Sequence, residues 1–179
     1  RAAEHLLFHE LVRPGQKLLS NTFFDTTRAN AEDAGGIAID LPSVESQPLG
    51  TFAPFKGNVD LDRLAEALEG AAQGEVAGVV MTVTNNAVGG QPVSMANLRG
   101  TRELCRRYRI PLIVDASRVA ENGFFVRERE PGYSETSVVA IVREIGECAD
   151  AITMSAKKDG IANIGGFVAV RDVGLAERI

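Results

Sequence analysis

The run VAGVVMTVT at residues 76–84 decides the fold. It is apolar and rich in β-branched residues along almost its whole length, without the polar alternation of a strand that keeps one face in water. A run of this kind is a strand buried on both faces, and the arrangement that buries both faces is a parallel sheet covered by helices on either side. The signature returns in IPLIVDAS (110–117) and DAITMSA (150–156). KLLSNTFF (17–24) and GIAIDL (36–41) predict strands upstream, and GGFVAVRD (165–172) predicts one downstream.

Between these runs the apolar spacing turns helical. In DLDRLAEALEG (60–70), Leu61, Leu64, Ala65 and Leu68 fall at i, i+3, i+4 and i+7, and Gly70 is a natural stop. SMANLRGTRELCRRYR (94–109) gathers Leu98, Leu104, Cys105 and Tyr108 on one side. TSVVAIVREIGECA (136–149) does the same with Val138, Ile141, Val142, Ile145 and Cys148. Residues 1–12 read as a helix broken by Pro14-Gly15, and the closing LAERI as another. Strands alternating with helices predict an α/β fold: three layers, with a mostly parallel sheet between helices.

The totals agree. A chain of 179 residues suffices for one domain with a sizeable core, and 45% hydrophobic with 24% charged residues is ordinary for a globular protein. A net charge of -5 argues against a nucleic-acid footprint, which is basic and clustered. The apolar runs are too short to span a membrane, and no signal-peptide pattern opens the chain. Cys105 and Cys148 lie on helical apolar faces, as buried thiols of a reducing compartment do, so a cytoplasmic location is expected.

In parallel sheets, ligands gather at the carboxyl ends of the strands. NNAVGGQP, DASRVAEN and AKKDG follow three of the predicted strands, so Asn86, Asp115, Arg118, Lys157 and Lys158 belong to one end of the sheet. Taken singly, each has an ordinary reading. Paired lysines are usually solvated charges, an Asp after an apolar run is often a cap, and VGGQP is often a turn. Side chains of adjacent residues at a strand end point apart, so only one of the two lysines is expected to face any one pocket. Taken together, a lysine that a neighbouring cation helps to deprotonate can form a Schiff base, and an acidic partner can hold a protonated ring nitrogen. That pair is the minimal signature of a pyridoxal-phosphate site.

SNTFFDTTRAN (20–30), TNNAVGGQPVSMANLRG (84–100), VDASRVAENGFFVREREPGY (114–133) and MSAKKDGIANIGGF (154–167) resemble, in order, motifs of the β-eliminating lyases. These are pyridoxal-phosphate enzymes of the aspartate-aminotransferase-like fold (fold type I) that cleave tryptophan or tyrosine. The resemblance implies that Lys158 holds the cofactor and takes the substrate α-proton, with Lys157 as its electrostatic helper. It assigns Asp115 to the pyridinium nitrogen, Asn86 and Arg118 to the phenolic oxygen, Ser155 to the phosphate and Phe24 to the ring face. Arg1 sits where the family's phosphate-binding QGR turn ends, though the preceding Gln and Gly are absent here. Asn163 resembles a main-chain ligand of a monovalent cation, potassium.

Asp25 resembles the tryptophan-cleaving branch, whereas NIGGF (163–167) is closer to the tyrosine-cleaving one; tryptophan is the favoured substrate. The resemblance further implies that residues 1–179 are the central part of a larger cofactor-binding domain. An N-terminal segment, and a C-terminal domain carrying the arginine for the substrate carboxylate, would lie outside it. A homotetramer is implied, and the piece alone is expected to be inactive. More distant readings are another enzyme of the same fold, such as a threonine aldolase, or a catalytically dead assembly module.

Overall fold

A computed structural model describes residues 2–47 and 50–179. The elements follow in the order α1 (Ala2–Leu11), β1 (Lys17–Ser20), α2 (Asp25–Asp33), β2 (Ile37–Asp40), α3 (Leu61–Glu69), β3 (Val76–Thr82), α4 (Met95–Tyr108), β4 (Leu112–Asp115), α5 (Val119–Arg129), α6 (Val138–Cys148), β5 (Ala151–Ser155), β6 (Gly166–Val170) and α7 (Val173–Arg178). The strands form a single sheet in the order β2-β1-β3-β4-β5-β6. All neighbours are parallel except β5 and β6, which pair antiparallel.

Every residue of β3 and β4 is buried, as their unbroken apolar sequences demand. Alternate side chains feed two cores. On one face, Leu19, Val79, Met81, Leu112 and Val114 pack with Leu64, Leu98, Cys105, Val126, Ile141 and Ile145, which come from α3, α4, α5 and α6. On the other, Leu18, Val80 and Ile113 pack with Leu7 and Phe8 of α1 and Ala31 of α2, with Leu175 of α7 against them. The result is the three-layer architecture expected from the sequence. Where β5 meets β6, a Cβ on Gly166 would stand 2.3 Å from the Met154 carbonyl oxygen, so only glycine lets these strands approach.

Two helices escape the apolar pattern. The polar stretch DTTRAN forms the start of α2, and the strand expected over 17–24 ends at Ser20. The buried residues of α2 are Thr27 and Ala31; those of α5 are Asn122, Gly123 and Val126. Apart from Val126, their inward stripes are polar or small, so hydrophobic periodicity does not reveal them. Four of the other helices start on visible caps. Asp60, Ser94, Ser137 and Asp172 each accept a hydrogen bond from a backbone N–H of the first turn of α3, α4, α6 and α7.

Both cysteines are free and buried. Burial pushes the Cys105 thiol up to about 12 and raises that of Cys148. The reactive thiolate is therefore scarce at neutral pH. The folded protein is expected to resist a thiol reagent at mildly alkaline pH and to release both thiols to it only in denaturant. Fast labelling of either in the native state would contradict this packing.

Candidate active site

From β1 the chain passes outward to β2, whereas from β3 it passes the other way to β4. The loops leaving β1 and β3 therefore diverge, and a crevice opens at the carboxyl ends where they part. The sequence fills it with the residues singled out above. A cleft of about 270 Å³ is lined by Phe24 and Asp25 after β1, Asp115 and Ser117 at the end of β4, Ser155 at the end of β5 and Lys157 and Lys158 after it, with Glu4 of α1 in its wall. Phe24, Asp115 and Lys158 also border a narrow gap beside it, together with Asn86 and Arg118.

Lys158 Nζ lies 5.0 Å from the centre of the Phe24 ring, within cation–π range. Asp115 is 6% exposed. Its Oδ1 accepts from the Ser117 N–H at 3.0 Å and the Ser117 hydroxyl at 2.7 Å. Among the described residues no hydrogen bond is recorded on Oδ2, so one carboxylate oxygen is pinned and the other is open to a ligand. The Ser117 hydroxyl oxygen also accepts from the Ser155 N–H at 3.0 Å, tying the ends of β4 and β5 together.

The lysine doublet corrects one expectation. Lys157 and Lys158 both line the same cleft, where strand geometry would have sent them apart. The reason is local: β5 ends at Ser155 and residues 156–160 form a turn, so the two-residue alternation no longer applies. The turn is held by Asp159. Its Oδ2 accepts from the backbone N–H groups of Ala120 at 2.6 Å and Glu121 at 3.2 Å, capping α5 from outside that helix. Asp159→Ala is expected to lower unfolding stability by about 1 kcal/mol, the usual cost of a lost cap. A denaturant midpoint unchanged by the substitution would remove that role.

The remaining predicted residues fall as follows. Asp25 is exposed in the first turn of α2, where its Oδ1 accepts from the Thr26 N–H at 2.6 Å. Arg118 pairs with Glu121 at 3.3 Å. Asn86 lies two residues after Thr84, a non-glycine residue at φ 49°, whose hydroxyl donates to Asn122 Oδ1 at 3.1 Å. Backbone strain of this kind persists where surrounding contacts enforce it, and it clusters at sites. Asn163 is exposed in the loop between β5 and β6 and lines neither cleft. Arg1 lies outside the described residues.

Sequence reasoning missed Glu4, Ser117 and Asp159. Glu4 is 7% exposed and accepts from Thr27 and Asn30 of α2. The partners of Glu4 and Asp159 lie 23 to 39 residues away, beyond any local pattern. Ser117 left a signal, since a serine two residues after the strand-end Asp115 is placed to bond back to its carboxylate.

Pyridoxal phosphate fits this donor set. A buried carboxylate with one open oxygen, a lysine and an aromatic ring meet in one crevice, and Ser155 borders it.

Solved structures share the architecture. An alanine aminotransferase from Pyrococcus furiosus matches with a TM-score of 0.61 at 14% identity, over 99% of this chain and 40% of that one. NtdA from Bacillus subtilis, with bound cofactor PMP, matches with a TM-score of 0.58 at 18% identity, over 98% and 32%. At such identities the likeness defines the fold, that of the aspartate-aminotransferase-like (fold type I) enzymes. The chain belongs to the β-eliminating lyase family, whose model matches residues 1–179. It is 52% identical to a tryptophanase of Salinibacter ruber over 96% of this chain and 36% of that protein. A tyrosine phenol-lyase of Intrasporangium calvum is 48% identical over 96% and 36%, and a tryptophanase of Hyphomonas neptunium 48% over 99% and 39%. The chain thus spans little more than a third of the length of these relatives.

Proposed function

We propose that the intact protein cleaves an aromatic amino acid by β-elimination, converting L-tryptophan and water to indole, pyruvate and ammonia. The observation that carries this reading is the convergence of Lys158, Asp115 and Phe24, from the ends of three different strands, on one crevice. Residues 1–179 serve as the central part of a larger cofactor-binding domain. The family resemblance supports a cytoplasmic homotetramer and a potassium ion near the main chain of Asn163; no helix among the described residues is long and apolar enough to cross a membrane.

Bound pyridoxal phosphate supplies an aldehyde for lysine and a cationic ring that takes up the electron pair left on the substrate α-carbon. Lys158 would hold the cofactor, and its free Nζ would take the substrate α-proton. Asp115, with Oδ1 occupied by Ser117, would offer Oδ2 to the ring nitrogen and favour its protonated form. Phe24 would cover the ring, Asn86 and Arg118 would hold the phenolic oxygen and Ser155 the phosphate, and Lys157 would add positive charge at the same end of the cleft. Asp25, exposed beside Phe24, would exchange a proton with the departing indole.

The substrate choice rests on Asp25 and on the two tryptophanases among the relatives named above. Tyrosine is the second reading, since a tyrosine phenol-lyase matches at 48%. Indole release from tryptophan is expected to exceed phenol release from tyrosine in the intact protein; equal rates, or no indole, would overturn the tryptophan reading. Asp25→Thr is expected to slow indole release about a hundredfold or more, the low end for a lost proton-transfer group, and to spare elimination from an S-alkyl cysteine, whose leaving group needs little help. Equal losses on both substrates would remove Asp25 from this role.

A further inference from the structure

We propose a second site, outside the lining of the cofactor cleft: His5 and His9 of α1 with Asp33 of α2 bind one zinc ion that clips the two helices together. The chain has two histidines, and both are here. Four residues apart on a helix, they share one face. Their ring centres lie 4.1 Å apart. Asp33, the last residue of α2, brings its carboxylate against them, with Oδ2 at 3.1 Å from His9 Nε2 and 3.6 Å from His5 Nδ1. One potential ligand atom from each residue lies within 4.8 Å of the other two.

These spacings suit a metal. Bonds of about 2.0–2.2 Å in a tetrahedral zinc site set neighbouring donor atoms roughly 3.3–3.5 Å apart, so the two measured edges bracket the required value. All three side chains are exposed, which lets the imidazoles rotate to close the third edge and leaves the ion a path from solvent. Three protein donors leave a fourth position for water, and two imidazoles with one carboxylate are a borderline donor set that favours zinc over calcium or magnesium. A plain surface ion pair is the competing reading. It needs one imidazole only, whereas here both converge on the same carboxylate oxygen. The clip also has a place in the fold. Glu4 already joins α1 to α2 through Thr27 and Asn30, and the same two helices carry Glu4, Asp25 and Thr26 into the wall of the cleft.

Titration of the metal-stripped, cofactor-free intact protein with zinc chloride tests the proposal by calorimetry, with thermal unfolding as a second readout. The expected result is a saturable site of one zinc per chain, and a melting temperature that rises with zinc as ligand linkage requires. His5→Ala/His9→Ala is expected to lose that site, and Asp33→Asn to weaken it about tenfold, equivalent to 1.4 kcal/mol. Because these residues are exposed, both variants should keep the wild-type circular dichroism and the wild-type melting temperature without zinc. No saturable binding, or binding of the same strength and stoichiometry in the double-histidine variant, would overturn the proposal.

Discussion

Lys158→Ala is expected to abolish the visible absorption of lysine-bound cofactor and to slow elimination by about a thousandfold or more, the scale for losing a positioned general base. The expectation follows from geometry and from the proposed double duty of one nitrogen. Lys158 Nζ sits by the Phe24 ring, in a cleft that also contains Asp115, and no other lysine in the lining is placed against that ring. Lys157→Ala is the control. It removes positive charge from the same cleft but leaves the proposed covalent nitrogen in place, so the absorption should persist and the rate should fall far less. A reversed pattern, with the absorption lost in Lys157→Ala and kept in Lys158→Ala, would transfer the anchor to Lys157. Absorption unchanged in both would end the Schiff-base assignment altogether.

Asp115→Asn is expected to lower kcat by about 10²–10³, the range seen when one preorganised electrostatic partner is removed from an active site. The amide is nearly isosteric with the carboxylate, and its oxygen can still accept from the Ser117 N–H and hydroxyl, so the link to Ser155 through Ser117 should survive. What disappears is the negative charge proposed to hold a proton on the cofactor ring. Thermal stability should therefore stay close to wild type while turnover falls. Asp115→Ala is expected to do something different. It also strands the Ser117 donors in a buried position, at a cost of roughly 1–3 kcal/mol. Equal stability in the two variants would contradict the hydrogen bonding described here. An Asn variant within a few-fold of wild-type turnover would remove the ring-nitrogen role.

The fold was legible wherever burial writes a period into the chain. VAGVVMTVT announced a central strand because both its faces meet core, and the apolar stripes of α3, α4 and α6 announced helices because one face meets core. The two helices that escaped, α2 and α5, are the two that start at the crevice. Their N-cap positions are held by Phe24 and Arg118, neither of which makes a side-chain cap. At both positions a residue proposed to meet the ligand stands where a capping Ser or Asp would otherwise have marked a helix start.

Sequence by itself determined the α/β class, the identity of the strands and the carboxyl-end position of Asn86, Asp115, Lys157 and Lys158, because strand burial and strand direction are written locally. Tertiary structure alone decided which of these residues meet. The order of strands brought Phe24 after β1 against Lys158 after β5, although 134 positions separate residues 24 and 158. It also turned both lysines into one cleft, set Asp159 on the start of α5 and gathered His5, His9 and Asp33. Such contacts depend on how elements cross and how turns aim their side chains, and no periodicity along a single chain encodes that.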